Sequence, residues 1–120
     1  MADNKQYITQ EQESGSIMIS EEVIATIVSH AVSEVEGVVG LSAKPGADII
    51  ELLGKKVKGL KVAIGEDGVL NIDCNIIVSY GQNVVTVATN VQNAVAGAVE
   101  SMSGVKVNSI NVNICEIVRQ

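Results

Sequence analysis

The sequence predicts an α+β fold: a two-layer sandwich in which two amphipathic helices cover one face of a mixed sheet, in the order β-α-β-β-α-β. Three observations predict it. The apolar content is dominated by 20 Val and 14 Ile, against 5 Leu and no Phe or Trp, and β-branched side chains favour strands. Two segments instead repeat apolar residues at helical spacing, and a third alternates apolar and polar residues. Hydrophobic residues make up 47% of the 120 residues, enough for the core of one domain.

The chain begins with a polar segment. We expect residues 1–14 to form a flexible polar tail and residues 15–120 to form a single domain. The run SIMI at 16–19 predicts a short edge strand. Ser20 then stands where a helix N-cap belongs, and apolar residues recur at helical spacing up to Gly37, which predicts a helix that ends at this glycine. The apolar stripe of that helix consists of Ile24, Ile27, Val28, Ala31 and Val35.

The middle of the chain predicts a β-hairpin. The runs at 59–64 and 69–80 read as two antiparallel strands, because apolar and polar residues alternate in the second run as in a strand with one solvated face. Before them, VVGL at 38–41 is compatible with a short strand and DIIELLG at 48–54 with a brief helix.

The last third of the chain predicts a second helix and a final strand. Asn83 offers an N-cap and Gly104 a stop for a helix of regularly spaced valines and alanines. The final strand covers 105–118. The alternation of apolar and polar residues along this strand changes phase near Asn108 and Ser109, which predicts a β-bulge there.

Few residues suggest chemistry. His30 is the only histidine, and we expect a surface or boundary residue, because zinc and catalytic sites need several clustered groups. The alternation within their strands places the side chains of Cys74 and Cys115 on opposite faces, so we expect two free thiols rather than a disulfide. Gly81 carries no phosphate-binding motif and most simply lets the chain turn. The sequence therefore predicts a protein that is not an enzyme and binds no cofactor or metal.

Two features suggest contacts with partners. Half of the 8 basic residues fall within positions 55–61. They are Lys55, Lys56, Lys58 and Lys61. The ordinary explanation is a solvated surface, and the alternative is a contact with anionic headgroups or an acidic partner. Gly97 lies among small residues of the second helix, where either a neighbouring backbone or another subunit comes close. Gln92 lies beside the apolar stripe of the same helix, so we expect its side-chain amide to be buried and bonded to backbone groups.

Charge and hydropathy exclude several other partners. A formal net charge of −6 and only two tyrosines as aromatic residues argue against nucleic acid, whose binders present basic faces and aromatic platforms. The longest apolar runs are far shorter than the roughly 20 residues of a membrane span. The polar N-terminus does not resemble a secretory signal.

Most of the chain resembles the alkaline shock protein family of Gram-positive bacteria. The resemblance covers residues 15–118. Its most specific pieces are EVEGV at 34–38, the YG at 80–81 with the VQ at 91–92, and the ESMSGVKV…INV ending at 100–112. Further matching stretches are GSIMISEEVIATIVSHAVSEVEGVVGL at 15–41, LLGKK at 52–56 and IIVSYGQNVVTVATNVQNAVAGAVESMSG at 76–104.

This resemblance implies a small, non-enzymatic, cytoplasmic protein of the envelope stress response. Family members self-associate and act as a scaffold or adaptor at the cytoplasmic side of the membrane, where some are held by a separate membrane-anchored protein. Some relatives are linked to fatty-acid synthesis, which implies an alternative: a soluble regulator that binds a metabolic enzyme or a small apolar ligand. The chain lacks the long polar tails of larger members, and its ending CEIVRQ departs from the glycine-containing ending of the family.

Overall fold

The computed structural model describes residues 7–42, 59–65 and 68–119. Within these ranges the chain forms two helices and six strands, and the predicted α+β sandwich is confirmed. The predicted helix at 48–54 lies outside the described residues. In chain order the elements are β1 (Tyr7–Gln12), β2 (Gly15–Ser20), α1 (Glu21–Ser33), β3 (Val38–Leu41), β4 (Leu60–Ile64), β5 (Leu70–Ser79), α2 (Val84–Ser103) and β6 (Val107–Val118).

β5 is the central strand of the main sheet. Both β3 and β4 pair with it antiparallel, β3 around Val78 and β4 around Ile72. They share one edge of β5, because the amide of Asn75 donates to Gly59 just before β4 while its carbonyl accepts from Ser42 just after β3. β6 runs parallel to β5 along the opposite edge. The sheet is therefore mixed and three strands wide, as far as the described residues go.

Gly59 is the point where the chain rejoins the sheet. Its φ is +78°, and a Cβ built there would lie 2.5 Å from the backbone oxygen of Ser42. Only glycine fits both the positive φ and this close approach. The chain thus leaves the sheet at Ser42 and re-enters it at Gly59, two residues that lie side by side.

α1 begins as predicted and ends earlier than predicted. The Ser20 hydroxyl accepts a hydrogen bond from the amide of Val23 at 3.2 Å, which is a helix N-cap. The helix ends at Ser33 rather than at Gly37. The amides of Glu34 and Val35 bond three residues back instead of four, and this tighter turn closes the helix before the glycine is reached.

α2 has both predicted boundaries. The Asn83 side chain accepts from the amide of Thr86 at 3.0 Å, and Gly104 ends the helix with a left-handed backbone, φ 77°. Its buried stripe faces the sheet beside that of α1. The buried residues of α2 are Val87, Val91, Val95 and Val99.

The core lies between the helices and one face of the sheet. Alternate residues of β5 are fully buried there and pack against the apolar stripes of α1 and α2. The strict alternation seen in the sequence therefore corresponds to one buried face. These β5 residues are Leu70, Ile72, Cys74, Ile76 and Val78.

The expected polar tail is wrong for residues 7–12, which form β1. This strand pairs with β2 in a separate antiparallel sheet, so the run at 16–19 is not an edge of the main sheet. Two contacts fix β1 to the domain: Ile8 is buried, and the Gln10 side chain donates to the Ser103 carbonyl at 2.6 Å. A single buried apolar residue was too weak a sequence signal to reveal this strand.

β6 contains the predicted bulge and a second one. Val107 pairs with Leu70 and Ser109 with Asn71, so Asn108 is the extra residue, as predicted. The register shifts again between Ile114 and Glu116, which leaves Cys115 unpaired. This second bulge was not predicted.

Candidate interaction surfaces

A groove runs between α1 and the second half of α2 on the side away from the sheet. Its volume is about 630 Å³. Ala94 and Ala98 contribute small side chains on the α2 side, which leaves the space open. The groove is lined by Thr26, Ile27, His30, Ala31, Glu34, Val35, Ala94, Ala98, Ser101 and Met102.

A second depression of about 460 Å³ extends the groove toward β2. The two share Thr26, Ile27 and Met102. Because Met102 at the end of α2 lies near Val23 at the start of α1, the helices run in opposite directions. Met102 and Val23 are 71% and 48% exposed, so the extended groove presents apolar surface to solvent.

His30 lies at the rim of the groove and pairs with Glu34. The Nε2–Oε2 distance is 3.1 Å, and the two side chains are 76% and 68% exposed. An exposed pair of this kind contributes little to stability. His30 is the surface residue that the sequence predicted.

Gly97 lies on the outer surface of α2. It is exposed, and a Cβ built on it would meet nothing within 4 Å. No neighbouring backbone of the described chain therefore requires a glycine here. Of the two explanations from the sequence, contact with another molecule is the one that stays a prediction.

The lysine cluster is only partly visible. Lys55, Lys56 and Lys58 lie outside the described residues. Lys61 is exposed on β4, where it pairs in register with Asp73 of β5. The proposed contact of this cluster with headgroups or an acidic partner remains a prediction.

Amide side chains form a ladder between β5 and β6 on the face of the sheet opposite the helices. Asn71 accepts from Asn108 and Ser109, Asp73 accepts from Asn111 at 2.8 Å, and Asn75 accepts from Asn113 at 3.0 Å. Sequence reasoning missed this ladder. The alternating polar residues in NIDCN and SINVN were its signal, because parallel strands with matched alternation place them side by side.

The outer edge of β6 is touched by α2. The Gln92 side chain donates to the backbone carbonyl of Ile110 at 2.9 Å. The predicted bond to a backbone group is confirmed, but the predicted burial is wrong, since Gln92 is exposed. Its amide reaches the rim of the sheet rather than the core.

The two thiols are free, as predicted, and differ in environment. Cys74 is fully buried in β5. Burial, and secondarily the negative charge of Asp73, raises the pKa of its thiol from 9.0 to about 12, so the reactive thiolate is scarce. Cys115 is exposed at the second bulge.

The described residues contain neither a membrane-spanning helix nor a cluster of metal ligands. No helix in residues 7–42 or 68–119 is long and apolar enough to cross a membrane. No three His, Cys, Asp or Glu side chains of the described chain come together as metal ligands.

Gly81 makes the turn expected between β5 and α2. Its φ is +101°, and a Cβ there would meet nothing within 4 Å. The backbone conformation, rather than crowding, is what favours glycine at this position.

The sequence is similar to one family of known proteins. The model of the alkaline shock protein 23 family, described as having a cell envelope-related function, matches residues 9–119. The uncharacterized protein YqhY of Bacillus subtilis (strain 168) is 33% identical over 105 residues, covering 86% of this chain and 77% of the relative. The uncharacterized protein YloU of the same organism is 36% identical over 103 residues, covering 83% and 86%.

A solved structure supports the fold alone. A variant of MamM-CTD superposes with a TM-score of 0.50 at 19% identity, covering 80% of this chain and 96% of that one. The match of the family model over residues 9–119 and the two Bacillus relatives show that the chain belongs to the alkaline shock protein 23 family, whose function is related to the cell envelope.

Proposed function

We propose that this protein is a non-enzymatic scaffold or adaptor of the envelope stress response, which self-associates and works at the cytoplasmic side of the membrane. The groove between α1 and α2 carries the proposal. It exposes contiguous apolar surface, and surfaces of this kind commonly mark contacts between proteins. The family's cell envelope-related function supports the same direction.

The occupant that fits the groove is an apolar helix of a membrane-anchored protein. Two antiparallel helices with small residues between them leave an elongated trough, which suits a third helix. The carboxylates of Glu22 and Glu34 stand along the trough, and the chain carries a net charge of −6. Cytoplasmic segments next to membrane spans are rich in Lys and Arg. An apolar helix with basic flanks would therefore match both the shape and the charge.

Membrane vesicles from the native bacterium test this proposal. The vesicles are inverted so that the cytoplasmic face points outward and are washed free of peripheral proteins. The full chain should sediment with them, but not with vesicles shaved by protease or with vesicles of the extracted lipids alone. Equal sedimentation with lipid vesicles would contradict a protein partner, and no sedimentation with any vesicle would contradict the membrane role.

A pair of variants tests the groove itself. Met102→Lys places a positive charge at the end of the trough and should weaken sedimentation by roughly tenfold, the effect of a moderate interface hot spot. Val85→Lys is the matched control, since Val85 is 70% exposed on α2 but does not line the groove. Equal losses in both variants would show that general charge, not the groove, decides binding.

A second candidate function is a soluble regulator that binds a small apolar ligand. The groove volume of about 630 Å³ favours it, because ligand pockets commonly span roughly 300–1,000 Å³. Titration with a fluorescent fatty acid tests it. Saturable binding that Ala98→Trp abolishes would favour the regulator, while linear, unsaturable binding would count against it.

A further inference from the structure

The outer edge of β6 offers backbone groups that no described strand pairs with, although the Ile110 carbonyl among them accepts from the Gln92 side chain. The backbone amide and carbonyl of Asn75 point toward β3 and β4. Backbone groups of successive residues in a strand point to opposite edges, so those of Ile72, three residues earlier, point toward β6. In a parallel ladder, Ile72 then bonds to the neighbours of its partner Ile110, which are Ser109 and Asn111. The amides and carbonyls of Ile110 and the alternate residues after it therefore point outward. Within the described ranges, no strand pairs with this edge.

We propose that this edge pairs antiparallel with the same edge of a second copy, about a two-fold axis at Asn111. The inference rests on the self-association in the proposed function and assigns it a surface. Two four-stranded sheets, each three strands wide, would join into one sheet six strands wide, with all four helices on the same face. Such pairing would cover the edge of a twelve-residue strand, which is otherwise a site for unwanted association.

In this register, apolar residues lie opposite apolar residues and polar residues opposite polar ones. Opposite residues of an antiparallel pair face the same side of the sheet. With the bulged Asn108 and Cys115 left out of the count, Ile110 lies opposite Val112 and Val107 opposite Ile114, all on the helix side. On the other face Ser109 lies opposite Asn113, and Asn111 meets its own copy. The amide ladders of the two subunits would therefore become continuous.

The charges also match in this register. One step beyond Val107, Lys106 lies opposite Glu116 of the second copy, and the two-fold axis makes this pair twice. Moving the axis one residue, to Val112, would place Glu116 opposite Ser109 and Lys106 opposite Val118. Only the axis at Asn111 brings the opposite charges together, and both residues are exposed in the single chain.

Charge reversal tests the interface. Lys106→Glu and Glu116→Lys should each weaken dimerisation by roughly tenfold, because each variant places like charges opposite one another at both ends of the pairing. The double variant Lys106→Glu/Glu116→Lys should restore it. Sedimentation equilibrium at low salt measures the dimer constant, and thermal melts check that every variant is folded.

Disulfide trapping tests the register. In a Cys115→Ser background, Asn111→Cys should form a covalent dimer under mild oxidation, because facing residues at the axis have Cα atoms about 4.5–5.5 Å apart, within disulfide range. Asn113→Cys is the matched control. It also loses one ladder hydrogen bond, but it lies opposite Ser109 and should stay uncrosslinked.

The outcomes separate this inference from the proposed function. A wild-type dimer that ignores charge reversal and is not trapped through Asn111→Cys would overturn the β6 interface and leave self-association standing. A wild-type protein that remains monomeric would overturn both. Restoration by the double variant together with trapping at Asn111 alone would establish the interface.

Discussion

The side-chain amide of Gln92 on α2 lies 2.9 Å from the backbone carbonyl oxygen of Ile110 on β6 and donates a hydrogen bond to it. It thereby occupies a position that the amide of a neighbouring strand would take. The helix thus partly covers an open sheet edge, and covering of this kind commonly prevents uncontrolled strand pairing. Any strand that pairs there must compete with Gln92 or share its acceptor.

Gln92→Ala should therefore strengthen self-association. Freeing the Ile110 carbonyl removes one competitor worth about 0.5–1.5 kcal/mol in each of the two subunits, so the dimer should tighten roughly 5- to 150-fold. Asn93→Ala, an exposed neighbour on α2, serves as the control and should change nothing. Sedimentation velocity over a dilution series would measure both. Weaker association of the Gln92 variant would mean that this side chain belongs to the contact instead of competing with it.

Asn75→Ala should lower the free energy of unfolding by about 0.5–1.5 kcal/mol, because Asn75 is only 7% exposed and the substitution removes its hydrogen bond with Asn113. Asn108→Ala removes an exposed ladder bond and should stay within about 0.5 kcal/mol of wild type. Urea denaturation compares the two. Equal losses of unfolding free energy in the two variants would show that burial does not determine how much a ladder hydrogen bond stabilises the fold.

Gly97→Ala should raise the free energy of unfolding by about 0.5–1 kcal/mol, since glycine weakens a helix interior and the added Cβ meets nothing within 4 Å. Gly97→Leu should also fold, but it should weaken vesicle sedimentation if this part of α2 contacts a partner. Thermal melts and the vesicle assay give the two readouts. A destabilised Ala variant would contradict the open surroundings of Gly97.

Cys74 should make stability fall in alkali. Its pKa is raised by burial from 9.0 to about 12, so between these values the thiol of the unfolded chain loses its proton while the folded one keeps it. Rising pH therefore favours unfolding, by at most about 1.4 kcal/mol per pH unit. Cys74→Val should remove that slope, and Cys115→Ser should not. Urea titrations under reductant from pH 8 to 11 compare the three, and parallel slopes would contradict the assignment.

The elements that sequence reasoning found are those whose signals are local. α2 has a capping asparagine, a regular valine stripe and a terminal glycine, and the structure uses all three. β5 alternates because one face is buried. β1 was missed because its stability comes from distant contacts: Ile8 enters the core, and Gln10 bonds to Ser103, 93 residues away.

The interaction surfaces were harder to foresee for the same reason. The groove exists because α1 and α2 run in opposite directions, with Ala94 and Ala98 toward α1, and no single segment encodes that arrangement. Gly97 was noticed from its cost in a helix, yet only the structure shows open space around it. The open edge of β6 depends on which strand takes the other side of β5, a matter of topology rather than of residue pattern.

Self-association underlies both the proposed function and the β6 interface, and the molar mass of the full chain in solution reports it without any substitution. Light scattering on the wild-type protein should give a weight-average mass that rises with concentration from 12.5 kDa toward twice that value, reaching at least roughly 1.8-fold by about 100 µM. Such a rise corresponds to a Kd of roughly 10 µM or tighter, within the range of specific interfaces. A mass that stays at 12.5 kDa up to that concentration would mean that the protein is a monomer and does not self-associate.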